Sequence, residues 1–241
     1  MSGRQGYGVP LQVGVTKLGP YELRLEYVDR TMFRYSRLGL GGDEESAFVD
    51  AGIRLVPLPM YPVFKPGFVT RHIMVRLAEP VLLRPEGRRV IYLEMKVDVA
   101  LYAVSGGAKS MFDVLQLDDK PKLVLYGPPE SGVVAREVRS PVYVSEPRPS
   151  LGKAVVKAVL SNVGGSPLRI TRILLDAAPL RLFYRFGSWA SYTQEIEVQA
   201  ERFRATVLYR QSFKRGLQEL EDPPEVKPPR FFQKTEMPWG V

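Results

Sequence analysis

Ile91-Tyr-Leu-Glu-Met-Lys-Val-Asp-Val-Ala-Leu101 is the stretch that decides the fold. Its odd positions, Ile91, Leu93, Met95, Val97, Val99 and Leu101, are all apolar, while the even positions include Glu94, Lys96 and Asp98. Side chains alternate across a strand, so a period of two sustained over eleven residues predicts one long strand with a buried and a wet face. Tyr21, Leu23, Leu25 and Tyr27 alternate with Glu22, Arg24 and Glu26 in the same way. Ile196, Val198 and Ala200 do so too, until the apolar set resumes one position out of phase at Phe203, Ala205 and Val207. That slip predicts a turn or bulge near Glu201.

Further strands are expected at residues 31–38, 72–83, 111–116, 122–126, 153–161, 168–175 and 181–186, separated by turn signals such as Pro85-Glu86-Gly87 and Asn162-Val-Gly-Gly165. The one helix expected is Ser212–Leu220. The pattern predicts an all-β chain of antiparallel, sandwich-like sheets in one or two units, with an extended Pro-rich C-terminal tail. Pro141, Pro147 and Pro149 mark the expected boundary. It divides an N-terminal β domain (1–145) from an immunoglobulin-like unit (151–220), followed by a Pro/aromatic tail (221–241).

Composition narrows the chemistry. The chain has 241 residues, 45% of them hydrophobic, and no cysteine. Disulfides, thiolate metal sites and cysteine nucleophiles are therefore excluded. A single histidine, His72, excludes any site that needs two imidazoles. No apolar run reaches the roughly 20 residues of a membrane-spanning helix, and the N-terminal stretch contains no hydrophobic segment of the signal-peptide kind. A cytoplasmic location is the expectation. Arginine outnumbers lysine 23 to 11, 21 prolines punctuate the loops, and Asn162 is the only asparagine. This is the pattern of a thermophile. The formal charge of +8 is uneven: residues 1–150 carry +3, residues 151–220 carry +6 and the tail carries −1. Such a basic surface favours polyanions or anionic head groups.

Leu123-Val-Leu-Tyr-Gly-Pro-Pro-Glu-Ser-Gly132 has the glycine spacing of a phosphate-binding loop, but Val133 and Val134 stand where Lys and Ser/Thr are required. It reads as a turn. Pro121-Lys-Leu-Val-Leu-Tyr-Gly-Pro-Pro-Glu-Ser-Gly-Val133, the following Arg136 and the later Asn162-x-Gly strand pair resemble the archaeal family called domain of unknown function 432. The resemblance implies an archaeal source and a β-rich fold, and it carries no activity or catalytic residue.

No catalytic residue, metal ligand or cofactor emerges from the remaining residues. Asp43, Glu44 and Glu45 could offer oxygen ligands, although consecutive acids point apart and read as a solvated hairpin tip. His72 reads as a surface or half-buried histidine. The best binding candidate is Arg181-Leu-Phe-Tyr-Arg-Phe-Gly-Ser-Trp189, whose alternation would set Phe183 between Arg181 and Arg185, near Trp189, on a face suited to base stacking and phosphate contact. Phe231, Phe232 and Trp239 lie on a tail too Pro-rich to bury them by itself, so they are expected to dock on this chain, a second copy or another protein. The functional expectation is a non-enzymatic binding or interaction module for a polyanion such as RNA or for a protein partner. The alternative is a hydrolase with a carboxylate or metal site in the N-terminal loops.

Overall fold

The computed structural model describes residues 5–39, 42, 44–61, 71–117, 122–220 and 234–237. Strands make up 65% of the described residues, and no helix occurs among them. Four strands, β1 (Gly14–Leu18), β2 (Tyr21–Tyr27), β3 (Met32–Leu38) and β4 (Glu44–Asp50), form an antiparallel meander. Here the sequence pattern holds: Leu23 and Leu25 are buried while Arg24 and Glu26 stay exposed. A second sheet runs in the order β5 (Arg54–Met60), β8 (Asp98–Ser105) and β9 (Ala108–Leu115). The two sheets meet through Tyr35, whose ring stands edge-on to Phe112 and whose hydroxyl donates to Asp113 at 2.7 Å. Arg37 donates to the other Asp113 oxygen at 2.7 Å.

The third and fourth sheets form the sandwich that positions the site. One runs β10 (Lys122–Tyr126), β11 (Val133–Ser140), β6 (His72–Leu83), β13 (Leu168–Asp176). The other runs β17 (Gln218–Glu219), β14 (Leu182–Tyr184), β15 (Ser191–Glu201), β12 (Lys153–Asn162), β7 (Arg88–Lys96), with β16 (Arg204–Ser212) between β15 and β18 (Lys234–Met237). Most pairs are antiparallel, but β11 lies parallel to β6 and β12 parallel to β15. Both inner faces contribute to one apolar core that includes Ile73, Val75, Ile173, Leu93, Met95 and Val156.

All six odd residues from Ile91 to Leu101 are buried, none more than 4% exposed. The single long strand expected there is instead two strands in different sheets. The chain leaves β7 at Val97, whose N–H donates to the Gly152 carbonyl at 3.0 Å, and enters β8. The wet face ends at the same point. In β8 both faces are covered, and Asp98, Ala100 and Tyr102 are buried as well.

Two further expectations are corrected. Residues 151–220 do not build their own sheets: β12 pairs with β7 along nine residues and β13 pairs with β6, so both sheets of the sandwich cross the Pro-rich segment at 141–149. Ser212–Leu220 is not helical, because Gly216 takes φ 72 and the segment turns into β17. The extended tail contributes one strand. Lys234–Met237, a proline-free window, adds to β16, and Met237 is fully buried. Finally, Gly127–Gly132 leads into a strand where a phosphate-binding loop would need a helix N-terminus.

Candidate functional site

Register alone brings three turns to one end of the sandwich. Arg88 pairs with Ser161, Asn162 with Ala200, Glu201 with Arg204, and Leu168 with Leu83. The β6–β7, β12–β13 and β15–β16 connections therefore lie side by side. From β7 to β16 is three strand spacings of about 4.8 Å, and the facing sheet is about 10 Å away, so this end measures roughly 14 by 10 Å.

Its chemistry differs from that of the strand faces. On the outer face of the fourth sheet the charges cancel in cross-strand pairs: Lys153 with Glu94, Lys157 with Glu195, and Arg210 with Glu197. At the loop end Arg84, Arg89, Arg169, Arg202 and Arg204 are all exposed, and none makes an ion pair among the described residues. Arg88 faces Glu197 and helps to hold that carboxyl below the usual range, after hydrogen bonds from Gln199 and Arg210. Spread over about two Debye lengths at physiological salt, the five arginines are largely screened from one another there and reinforce one another's field at low ionic strength. Glu86 and Glu201 are the acids on these turns.

One large aromatic stands among these charges. Phe203, at the tip of the β15–β16 hairpin, is 71% exposed, with the Arg202 guanidinium 5.0 Å from its ring centroid. On the neighbouring turn Val163 is 59% exposed.

A buried amide clamps two of the turns together, and the backbone next to it ties in the third. Asn162 is 2% exposed, and its Nδ2 donates to the carbonyls of Arg84 at 3.0 Å and Ser166 at 2.8 Å, with a longer contact to Leu83 at 3.4 Å. Its Oδ1 accepts from the Gly164 N–H at 3.0 Å, and its own N–H donates to Gly87. The Val163 N–H reaches the Ala200 carbonyl at 2.9 Å, which ties in the third turn.

Comparison with protein-family models matches residues 7–237 to a family described as protein of unknown function (DUF432). The chain belongs to the DUF432 family. No curated protein and no solved structure matches it.

In this DUF432 protein the aromatic–arginine face expected at 181–189 is dismantled. Phe183 is 7% exposed and packs with Val155, Ala190 and Tyr192 in a small second core. Leu182 and Tyr184 face the main core. The alternation is real, but both faces of β14 are covered, so no base can stack on Phe183. Arg181 pairs with Glu219 at 2.8 Å, and Arg185 remains exposed. Trp189 is half-buried with Tyr7 edge-on at 5.1 Å, because the N-terminal segment docks there through Tyr7 N–H to Ser188 and Gly187 N–H to Tyr7. The cavity beside Trp189 measures about 20 Å³, room for a single water. Phe183→Leu should lower the melting temperature, costing roughly 1 kcal/mol, and leave polyanion binding unchanged; a thermal melt and a binding titration on the same variant check both.

Phe231, Phe232, Trp239 and Asp43 lie outside the described residues. Glu44 and Glu45 belong to strand β4, and Glu45 is paired with Arg37 at 2.6 Å. His72 starts β6 opposite Asp176, and burial holds its pKa below the usual value despite the pull of that carboxylate. Among the described residues, no three acidic or imidazole side chains gather as metal ligands. The loop-end site was missed because its arginines come from three distant stretches. The phase slip near Glu201 located one of its turns, and nothing local announces that the other two join it.

Proposed function

We propose that the protein is a non-enzymatic binding module that takes a polyanion on the loop end of its sandwich. The observation that carries this is the contrast between cancelled charges on the strand face and five exposed arginines at the loop end, none in an ion pair among the described residues, where Asn162 clasps two turns and the Val163 N–H ties in the third. A rigid basic surface loses little entropy when it neutralises phosphates, and each neutralised phosphate releases counterions. An open end rather than a cleft suits a long ligand more than a small one. Cysteine-free, arginine-rich and proline-rich composition supports a thermophilic, cytoplasmic setting, and the family resemblance supports an archaeal one.

Titration of labelled RNA or polyphosphate against salt tests the reading. With five phosphate contacts, log K should fall with log salt at a slope of about −3.5 for a single strand, and Arg89→Ala or Arg204→Ala should each reduce that slope by about 0.7. Arg181→Ala, whose charge is matched by Glu219, should change neither. Absence of binding at low ionic strength, or an unchanged slope in both loop-end variants, would refute the assignment.

A further inference from the structure

Two turns at the loop end break the rules of turn chemistry. In the β6–β7 turn, Gly87 N–H donates to Arg84 O at 2.9 Å, with Pro85 and Glu86 between them. Glu86 takes φ 56, the only non-glycine with positive φ among the described residues, at the turn position that normally calls for glycine. The β15–β16 hairpin turns through just two residues, Arg202 and Phe203, neither with positive φ, where Asn-Gly would match the strand twist. Large charged or aromatic side chains at such tips gain nothing from packing, and departures from local rules concentrate at functional positions.

We infer that Phe203 is a stacking platform for a base of a single-stranded nucleic acid, flanked by Arg202 and Arg204. This rests on the polyanion reading above and names its ligand. The Arg202 guanidinium sits over the ring at 5.0 Å, and the 71% exposure of Phe203 leaves ring surface open to a base. Arg204, Arg89, Arg84 and Arg169 stem from backbone positions spread over roughly 14 by 10 Å, a span of two or three nucleotides. A flat anionic membrane fits less well. It would press all three tips at once, bringing the exposed Glu86 and Glu201 against its negative surface, whereas a flexible strand can follow the arginines past them.

The test uses fluorescence anisotropy with labelled 12-mer oligo-U and oligo-dT, a blunt duplex, polyphosphate, and vesicles containing anionic phosphatidylglycerol. Phe203→Ala should weaken binding of the single strands by about 5- to 150-fold. Its affinity for polyphosphate and its thermal melt should be unchanged, since the ring is not packed in the core. Phe203→Trp should retain single-strand affinity. Equal oligonucleotide affinity for Phe203→Ala and wild type, with polyphosphate still bound, would overturn the stacking role and leave the polyanion reading standing. Loss confined to vesicle binding would overturn it in favour of a membrane surface. Failure of every polyanion to bind would remove both readings.

Discussion

Val97→Asp should abolish cooperative folding. Val97 is 1% exposed and sits where the chain passes from β7 in one sheet to β8 in another, with Met95 and Val99, both fully buried, on either side. A carboxylate there has no cationic partner. Its immediate neighbour is already a buried acid: Asp98, 2% exposed, which accepts from the Leu117 N–H at 3.0 Å. An unpaired buried charge costs more than about 4 kcal/mol, a large part of the roughly 5–15 kcal/mol by which a domain is stable. Val97→Ala, which removes only methyl groups, should cost about 2 kcal/mol and still melt cooperatively. Circular dichroism melts of both variants give the answer; a Val97→Asp protein melting within a few degrees of wild type would contradict the assignment of this position to the core.

Asn162→Ala should have the next largest effect, and it reaches beyond stability. The truncation leaves the carbonyls of Arg84 and Ser166 and the Gly164 N–H without their amide partner in a partly buried site. Each orphaned group costs about 1–3 kcal/mol before relaxation, so a loss of roughly 3 kcal/mol is expected, or about 6–12 °C in melting temperature. Polyanion affinity should also fall, although no arginine is touched, because the turns lose their fixed relation. Asn162→Asp should be worse, since it turns a carboxylate oxygen toward two carbonyls. Salt titrations run well below the variant's melting temperature separate the two effects: unchanged affinity would show that the turns hold their places without the clamp.

What was legible in the sequence was local. The alternations at Tyr21–Tyr27 and Ile91–Leu101 marked extended chain and, apart from Tyr27, which is 67% exposed, the inward residues, because burial of one face imposes a period of two wherever it occurs. The same signal could not report that pairing partners change at Val97, since the odd positions stay buried on both sides of the crossing. At 181–185 the pattern was again genuine, yet Phe183 faces a second small core that only the distant Val155 and the packing of Phe213 and Leu217 create. The Pro-rich stretch at 141–149 looked like a boundary because composition is blind to β7 reaching β12 across it. The candidate site shares this origin. Arg84, Arg169 and Arg202 are unremarkable where they stand in the chain, and they become a surface only through register.

The pairing of β6 with β13 places His72 opposite Asp176, about 100 residues later in the chain. On a ribosome adding roughly 5–20 residues each second, the edge of β6 that β13 completes must wait about 5–20 s for its partner. During that interval β6 presents an unpaired, strand-forming edge. Completion of the sandwich thus comes late in synthesis, and a nascent chain released before β13 has emerged exposes an edge prone to joining that of another copy.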